Sequence, residues 1–135
     1  MDKEAEKIHQ KFAGKLIGNS KMQKLVCETL LIFPPEIVDF ATKNVWFVSS
    51  FTDAWGFVLK GKELGGKDVI FLTDELFRQE KIDQQYEVAH EIGHIVLKHR
   101  NAISAPQSKA EIARQEREAD RFAQHYLQNF AKIKL

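Results

Sequence analysis

Residues 82–99 read IDQQYEVAHEIGHIVLKH and contain the pattern His-Glu-x-x-His, which is formed by His90, Glu91 and His94. In an α-helix, side chains four residues apart lie on the same face, one turn from each other. Two imidazoles with this spacing can bind one zinc ion together. Glu91 projects about 100° away around the helix axis, a position that suits a general base acting on zinc-bound water. The stretch therefore predicts a helix that supplies two metal ligands and a base.

The residues around this pattern are apolar on most sides, which predicts a central, buried helix over about residues 82–99. Histidines and a carboxylate in such a helix need polar partners, because unpaired burial costs several kcal/mol. Gly93 lowers helix stability by about 1 kcal/mol relative to alanine. A glycine here makes sense if another segment approaches closely. The alternative interpretation is a pair of core histidines that donate to backbone carbonyls.

A catalytic zinc site needs a third protein ligand, which leaves one position for water. A final helix, predicted over about 109–130, carries the acids Glu116, Glu118 and Asp120. Glu116 and Asp120 are four residues apart and share a face. We predict that Glu116 completes the site and that Asp120 accepts the free ring N–H of a zinc-binding histidine. Glu118 is the competing ligand, and a solvated stripe of acids paired with nearby arginines is the alternative.

Other residues have weaker claims to a role. The metzincin type of site would need a histidine six residues after His94, where the chain has Arg100. The lone cysteine, Cys27, reads as a small buried thiol. A catalytic site also benefits from an electrophile at the developing oxyanion. Three residues of the last predicted helix are candidates for it: Arg121, His125 and Tyr126.

Two stretches carry a resemblance to known families, QYEVAHEIGH at 85–94 and EREADRFA at 116–123. Together they resemble the signature of gluzincin metallopeptidases, and in detail that of the ImmA/IrrE family. Residues 90–99 with Glu118-Ala119-Asp120 also resemble the catalytic core of the HtpX and CaaX-processing proteases, which are membrane proteins. The resemblance covers about residues 68–127. The compact size of the chain is similar to that of minimal gluzincins.

This resemblance implies a set of roles for the motif residues. His90, His94 and Glu116 would bind zinc, and Glu91 would act as the base. Asp120 stands where ImmA/IrrE proteins often have asparagine. The implied function is a zinc-dependent peptidase that hydrolyses peptide bonds and acts on a regulatory protein such as a repressor. The alternative function is a non-catalytic, zinc-binding regulatory module.

The rest of the chain predicts an α+β fold: N-terminal helices, a small three-stranded sheet, the His-Glu-x-x-His helix and the glutamate helix. We interpret residues 1–135 as one zincin-like domain. Helices are predicted over 4–17 and 36–42, and strands over 45–51, 55–60 and 68–72. Between the first two helices, a further helix that Ser20 can cap and Pro34-Pro35 ends is marked by Met22, Leu25, Val26, Thr29 and Leu30. The last strand directly precedes the active-site helix. We expect Val69, Ile70 and Phe71 at its edge to bind an extended substrate through backbone hydrogen bonds.

Composition limits the partners and the compartment. The chain has 135 residues, of which 44% are hydrophobic, and its formal net charge is +1. Near-balanced charge argues against a dedicated nucleic-acid binder, and we interpret the stripe of Lys3, Lys7, Lys11 and Lys15 as a solvated helix face. A single cysteine and the absence of long apolar runs argue against secreted disulfide proteins and membrane proteins. We expect a cytoplasmic protein with a peptide or protein substrate and no membrane partner.

Overall fold

The computed structural model describes residues 1–49, 68–99 and 107–134, and within them it confirms the α+β fold. The helices are α1 (Lys3–Lys11), α2 (Ser20–Leu30), α3 (Pro35–Asn44), α4 (Lys81–Val96) and α5 (Lys109–Lys134), with a short 3-10 helix over Asp74–Arg78; the strands are β1 (Leu16–Ile17), β2 (Val45–Ser49) and β3 (Asp68–Leu72). The chain divides into two compact units, Met1–Gln85 and Tyr86–Leu135. The interpretation of the chain as one zincin-like domain stays a prediction.

The first unit contains a three-stranded sheet in the order β1-β2-β3, with both pairs of strands parallel. Phe47 lies opposite Leu16 on one side and Ile70 on the other. β2 is therefore central, and most of its side chains are buried, as expected for a strand covered on both faces. The predicted strand over 55–60 lies outside the described residues, and β1 is a strand that the sequence did not predict.

The helix predicted over residues 4–17 is wrong in its second half. The α1 helix ends at Lys11, and Ala13 and Gly14 follow with φ angles of 50° and 88°. Because this left-handed conformation cannot continue a helix, the chain turns and Leu16 enters the sheet. Phe12 and Leu16 are both buried, so the four-residue spacing that indicated one long helix arises from two different elements.

Lys3, Lys7 and Lys11 of the lysine stripe lie on α1 and are exposed, whereas Lys15 lies beyond the end of this helix. Lys7 pairs with Glu4 at 3.3 Å, and Lys11 pairs with Asp39 of α3 at 3.2 Å. All four of these side chains are more than half exposed. The contacts agree with a solvated helix face that carries compensating acids.

Cys27 is completely buried in α2, as the sequence predicted. Burial, with a smaller contribution from the Glu28 carboxylate, raises the pKa of the Cys27 thiol to about 12. A thiol with so high a pKa is neutral at pH 7 and is a poor nucleophile. Cys27 therefore contributes to packing.

The second unit consists of most of α4 together with α5. The buried face of α4 is formed by Val88, Ala89, His90, Ile92 and Gly93, and that of α5 includes Ala119, Ala123 and Leu127. The small alanines permit close packing of the two helices, as predicted from the sequence. Within the described residues, no helix combines the length and the apolar character that crossing a membrane requires.

Candidate metal centre

The second unit brings three side chains together around one point: His90 and His94 of α4 and Glu116 of α5. Nε2 of His90 lies 3.0 Å from Oε2 of Glu116, and Nε2 of His94 lies 3.0 Å from Oε1 of the same carboxylate. The two Nε2 atoms are 3.1 Å apart. Each carboxylate oxygen thus faces one imidazole, and two nitrogens and two oxygens from three residues point into one small volume.

The dimensions and chemistry of this group fit a divalent metal ion. With metal–ligand bonds of about 2.0–2.1 Å, the edges of a tetrahedral site are about 3.3 Å long. The 3.1 Å between the two Nε2 atoms and the 3.0 Å from each Nε2 to one of the two Glu116 oxygens are close to this length. Two imidazoles and one carboxylate are a donor set that borderline metals such as zinc accept. The lone pairs of these two nitrogens and two oxygens, with contacts of 3.0–3.1 Å, also repel unless a proton or a cation lies between them. The group therefore has the geometry of a three-ligand site with one open position.

Asp120 and Tyr86 orient the His90 ring. Nδ1 of His90 lies 2.9 Å from Oδ1 of Asp120, and the Tyr86 hydroxyl donates to the same oxygen at 2.9 Å. Because a carboxylate only accepts, Nδ1 of His90 donates to Asp120, and in a neutral ring Nε2 then offers its lone pair to the triad. Asp120 thus occupies the position that the sequence predicted for a partner of a ligand histidine. Tyr86 was missed, although it lies four residues before His90, on the same face of the helix.

His94 has a different partner, His99, to which the sequence assigned no role. Nδ1 of His94 lies 2.9 Å from Nδ1 of His99, and Nε2 of His99 lies 2.8 Å from Oε1 of Glu118. Burial, opposed by the Glu116 carboxylate, lowers the pKa of His94. A neutral ring at pH 7 is the form that binds a metal ion.

The structure separates the two acids that the sequence left in competition. Glu118 lies two residues from Glu116, about 200° away around α5, and contacts His99 and Arg114 instead of the triad. The hydrogen bond from His99, with the positive charge of Arg114, lowers the pKa of Glu118. Glu116 is thus the acid of α5 that lies with His90 and His94, and its role as a metal ligand stays a prediction.

Glu91 lies next to the triad in sequence and is half-buried. Burial, with the nearby Glu87 carboxylate as the next contribution, raises the pKa of Glu91, and the electrostatic interaction with the His90 side chain opposes this shift. A carboxylate whose pKa is raised toward neutrality is a better proton acceptor than an exposed one. Its environment is therefore compatible with the predicted role as a base.

Gly93 permits the close helix contact that its position in the motif predicted. A Cβ atom added there would lie 2.9 Å from Cδ1 and 3.1 Å from Cγ of Phe122. Phe122 sits two residues beyond Asp120 on α5, so this contact also sets the depth at which the α5 carboxylates approach α4. The prediction of a close approach at Gly93 is confirmed.

We expect Gly93→Ala to destabilise the protein by about 1 kcal/mol, because steric overlap of about 1–3 kcal/mol exceeds the gain of about 1 kcal/mol in helix propensity. Thermal unfolding of the metal-free chain measures the effect. The double variant Gly93→Ala/Phe122→Leu is the matched control, since a smaller side chain should relieve the overlap. A single variant more stable than the wild type would show that propensity outweighs the contact.

The three oxyanion candidates lie together but on another face of α5. Arg121, His125 and Tyr126 line an open cleft of about 340 Å³, with Leu97, Glu118 and Phe122 completing its wall. Arg121 and His125 are on the side of α5 that carries Glu118, whereas Glu116 and Asp120 are on the side of the triad. The oxyanion role of these residues stays a prediction.

The strand predicted to bind substrate is in the first unit. β3 lies at one end of the described sheet, with Ile70 buried and Phe71 47% exposed. The substrate-binding role of Val69, Ile70 and Phe71 stays a prediction.

Comparison with known protein families indicates a class of protein for this chain. Residues 84–134 match the family model Peptidase U49. The matched segment is fewer than half of the 135 residues, but it contains the His-Glu-x-x-His motif and the acids Glu116, Glu118 and Asp120 of α5. The match supports a peptidase with a protein substrate and is silent on the gluzincin and ImmA/IrrE resemblance. No curated protein and no solved structure gave a significant match to the chain.

Proposed function

We propose that the chain is a zinc-dependent peptidase of the gluzincin type, with His90, His94 and Glu116 as zinc ligands and Glu91 as the general base. The observation that carries this proposal is the convergence of two imidazoles and one carboxylate from two helices, with the two Nε2 atoms 3.1 Å apart and each of them 3.0 Å from one oxygen of Glu116. The peptidase match over the same helices supports it independently. A zinc ion bound here would act as a Lewis acid on the scissile carbonyl and lower the pKa of a bound water to about 7.

The protein side chains divide the remaining work. Glu91 accepts a proton from the attacking water and returns it to the leaving amine. The burial of Glu91 supports this role, because it raises the carboxyl pKa and a general base accepts a proton more effectively when its pKa is closer to the working pH. Asp120 and Tyr86 keep the His90 ring in one orientation and one tautomer. These contacts fix the site before substrate binds, so little reorganisation is needed during the reaction.

The number of protein ligands favours catalysis over a purely structural role. Structural zinc sites have four protein ligands, and catalytic sites have three with one open position. Within the described ranges, the group around His90 and His94 contains one further ligand, Glu116. Glu118, the acid that would close the site, is held by His99 and Arg114. We therefore favour the peptidase over the alternative of a non-catalytic zinc-binding module.

For substrate binding, we retain the proposal that β3 pairs with an extended peptide. β3 is the last strand of the described sheet, so its outer backbone groups have no strand partner within that sheet. An extended peptide can add to such an edge by main-chain hydrogen bonds at Val69, Ile70 and Phe71.

The test is metal analysis and peptide hydrolysis with the 135-residue chain, purified without a histidine tag. We expect close to one zinc per chain and cleavage of a defined peptide library, detected by mass spectrometry. Phenanthroline should abolish cleavage, its non-chelating isomer should leave cleavage unchanged, and added zinc should restore it.

Each other outcome has a definite meaning. Bound zinc without cleavage of any peptide or protein would favour the non-catalytic module. A site that binds iron and no zinc would point to the redox chemistry that two histidines and a carboxylate also support. Cleavage that survives complete removal of metal would contradict the proposed mechanism.

A further inference from the structure

A chain of four side chains leads away from the triad on the His94 side. Nδ1 of His94 contacts Nδ1 of His99, Nε2 of His99 contacts Glu118, and Arg114 donates to Glu118 at 2.9 Å. We propose that His99 is a positioning residue that fixes His94 in the tautomer with a proton on Nδ1, so that Nε2 presents its lone pair to the triad.

The direction of the hydrogen bonds follows from the far end of the chain. The Glu118 carboxylate has only acceptors, so Nε2 of His99 carries the proton in their 2.8 Å contact. A neutral imidazole has one N–H and one lone pair, which leaves Nδ1 of His99 as an acceptor. In the 2.9 Å contact between the two Nδ1 atoms, His94 is then the donor. Its proton is held on the ring nitrogen that points away from Glu116, and Oε1 of Glu116, 3.0 Å from Nε2 of the same ring, is the acceptor that competes with His99 for this proton in the metal-free chain.

The backbone places His99 at this position. At the end of α4, Lys98 adopts a left-handed conformation with φ 58°, and the N–H of His99 donates to the carbonyl of His94 at 2.9 Å. The N–H of Lys98 donates to the carbonyl of Ile95 at 3.0 Å, which completes a Schellman motif. The side chain of His99 is only 5% exposed. The ring is thus fixed by its own helix end as well as by Glu118.

The two histidines of the triad are consequently oriented by two separate acids of α5. His90 contacts Asp120 directly, whereas His94 reaches Glu118 through His99. Outer partners of metal-binding histidines fix the tautomer, and their removal typically weakens metal binding about 10–100-fold. The consequence for zinc rests on the proposed function. The tautomer itself is a property of the metal-free chain.

The experiment compares wild type with His99→Phe and His99→Asn in the 135-residue chain. Phenylalanine keeps the ring shape and removes both nitrogens, whereas asparagine keeps an acceptor oxygen near the position of Nδ1. His125→Phe is the matched control, because the same change is made at an exposed histidine of α5. Long-range ¹H–¹⁵N correlation spectra of metal-free protein report the tautomer of His94, and competition with a zinc chelator reports affinity.

In the wild type, in His99→Asn and in His125→Phe, we expect His94 to carry its proton on Nδ1. In His99→Phe we expect a substantial population with the proton on Nε2 and zinc affinity lowered about 10–100-fold. His99→Asn should recover most of that affinity, which a merely structural loss would not predict.

Two results would overturn the positioning role. One is a wild-type His94 with its proton on Nε2 in the metal-free chain, which decides the matter even if His99→Phe fails to fold. The other is a folded His99→Phe variant with the wild-type tautomer and wild-type zinc affinity. A wild-type chain that binds no zinc would contradict the proposed function, while its tautomer would still decide the role of His99.

Discussion

The Glu91→Gln variant is expected to lose peptide hydrolysis by about two to four orders of magnitude while keeping its bound zinc. Glutamine has the same shape as glutamate, but its amide does not accept a proton from water at neutral pH. The metal should remain because the triad consists of His90, His94 and Glu116 and does not include Glu91. Parallel measurements of zinc content and of peptide cleavage check both halves of the expectation.

The matched control for this variant is Glu111→Gln. Glu111 is an exposed acid in the first turn of α5, so the same chemical change there should leave both zinc content and activity close to wild type. Wild-type activity in Glu91→Gln would remove Glu91 from the mechanism. Loss of zinc together with activity in Glu91→Gln would instead give Glu91 a structural role at the site.

The second large effect is expected on zinc binding, when Glu116 and Glu118 of α5 are replaced one at a time. Glu116→Ala should weaken zinc binding more than about 100-fold, beyond the usual effect of removing an outer partner, because a direct ligand is lost. Glu118→Ala should still bind one zinc per chain. Its zinc affinity should fall by no more than about 10–100-fold, because the variant loses only the acid that holds His99 against His94. Competition with a chelator of known affinity measures both changes.

Thermal unfolding gives an independent readout of the same pair. A metal that binds only the folded state raises the unfolding temperature by an amount that grows with the logarithm of the ratio of its free concentration to its Kd. Added zinc should therefore stabilise wild type and Glu118→Ala, and leave Glu116→Ala nearly unchanged. The reverse pattern would make Glu118 the ligand and contradict the arrangement seen in the structure.

Some predictions from sequence held because they depend on local geometry alone. The four-residue spacing of His90 and His94 places both rings on one face of any α-helix, whatever surrounds it. The same rule separates Glu118 from the pair Glu116 and Asp120. The helix prediction over residues 4–17 failed, since the spacing of Phe12 and Leu16 is the same whether or not a turn at Gly14 separates them.

The sequence by itself thus determined the pair of imidazoles, the adjacent carboxylate and the small residue at Gly93, because each follows from helix periodicity or from the space that a side chain needs. Tertiary structure decided which acid of α5 faces the histidines, because that depends on the rotation of one helix against the other and on the contact of Phe122 with Gly93. It also decided the contact of His99 with His94, which requires a left-handed conformation at Lys98. The sequence does not indicate this conformation, because the position is occupied by lysine and not by the glycine that usually marks it.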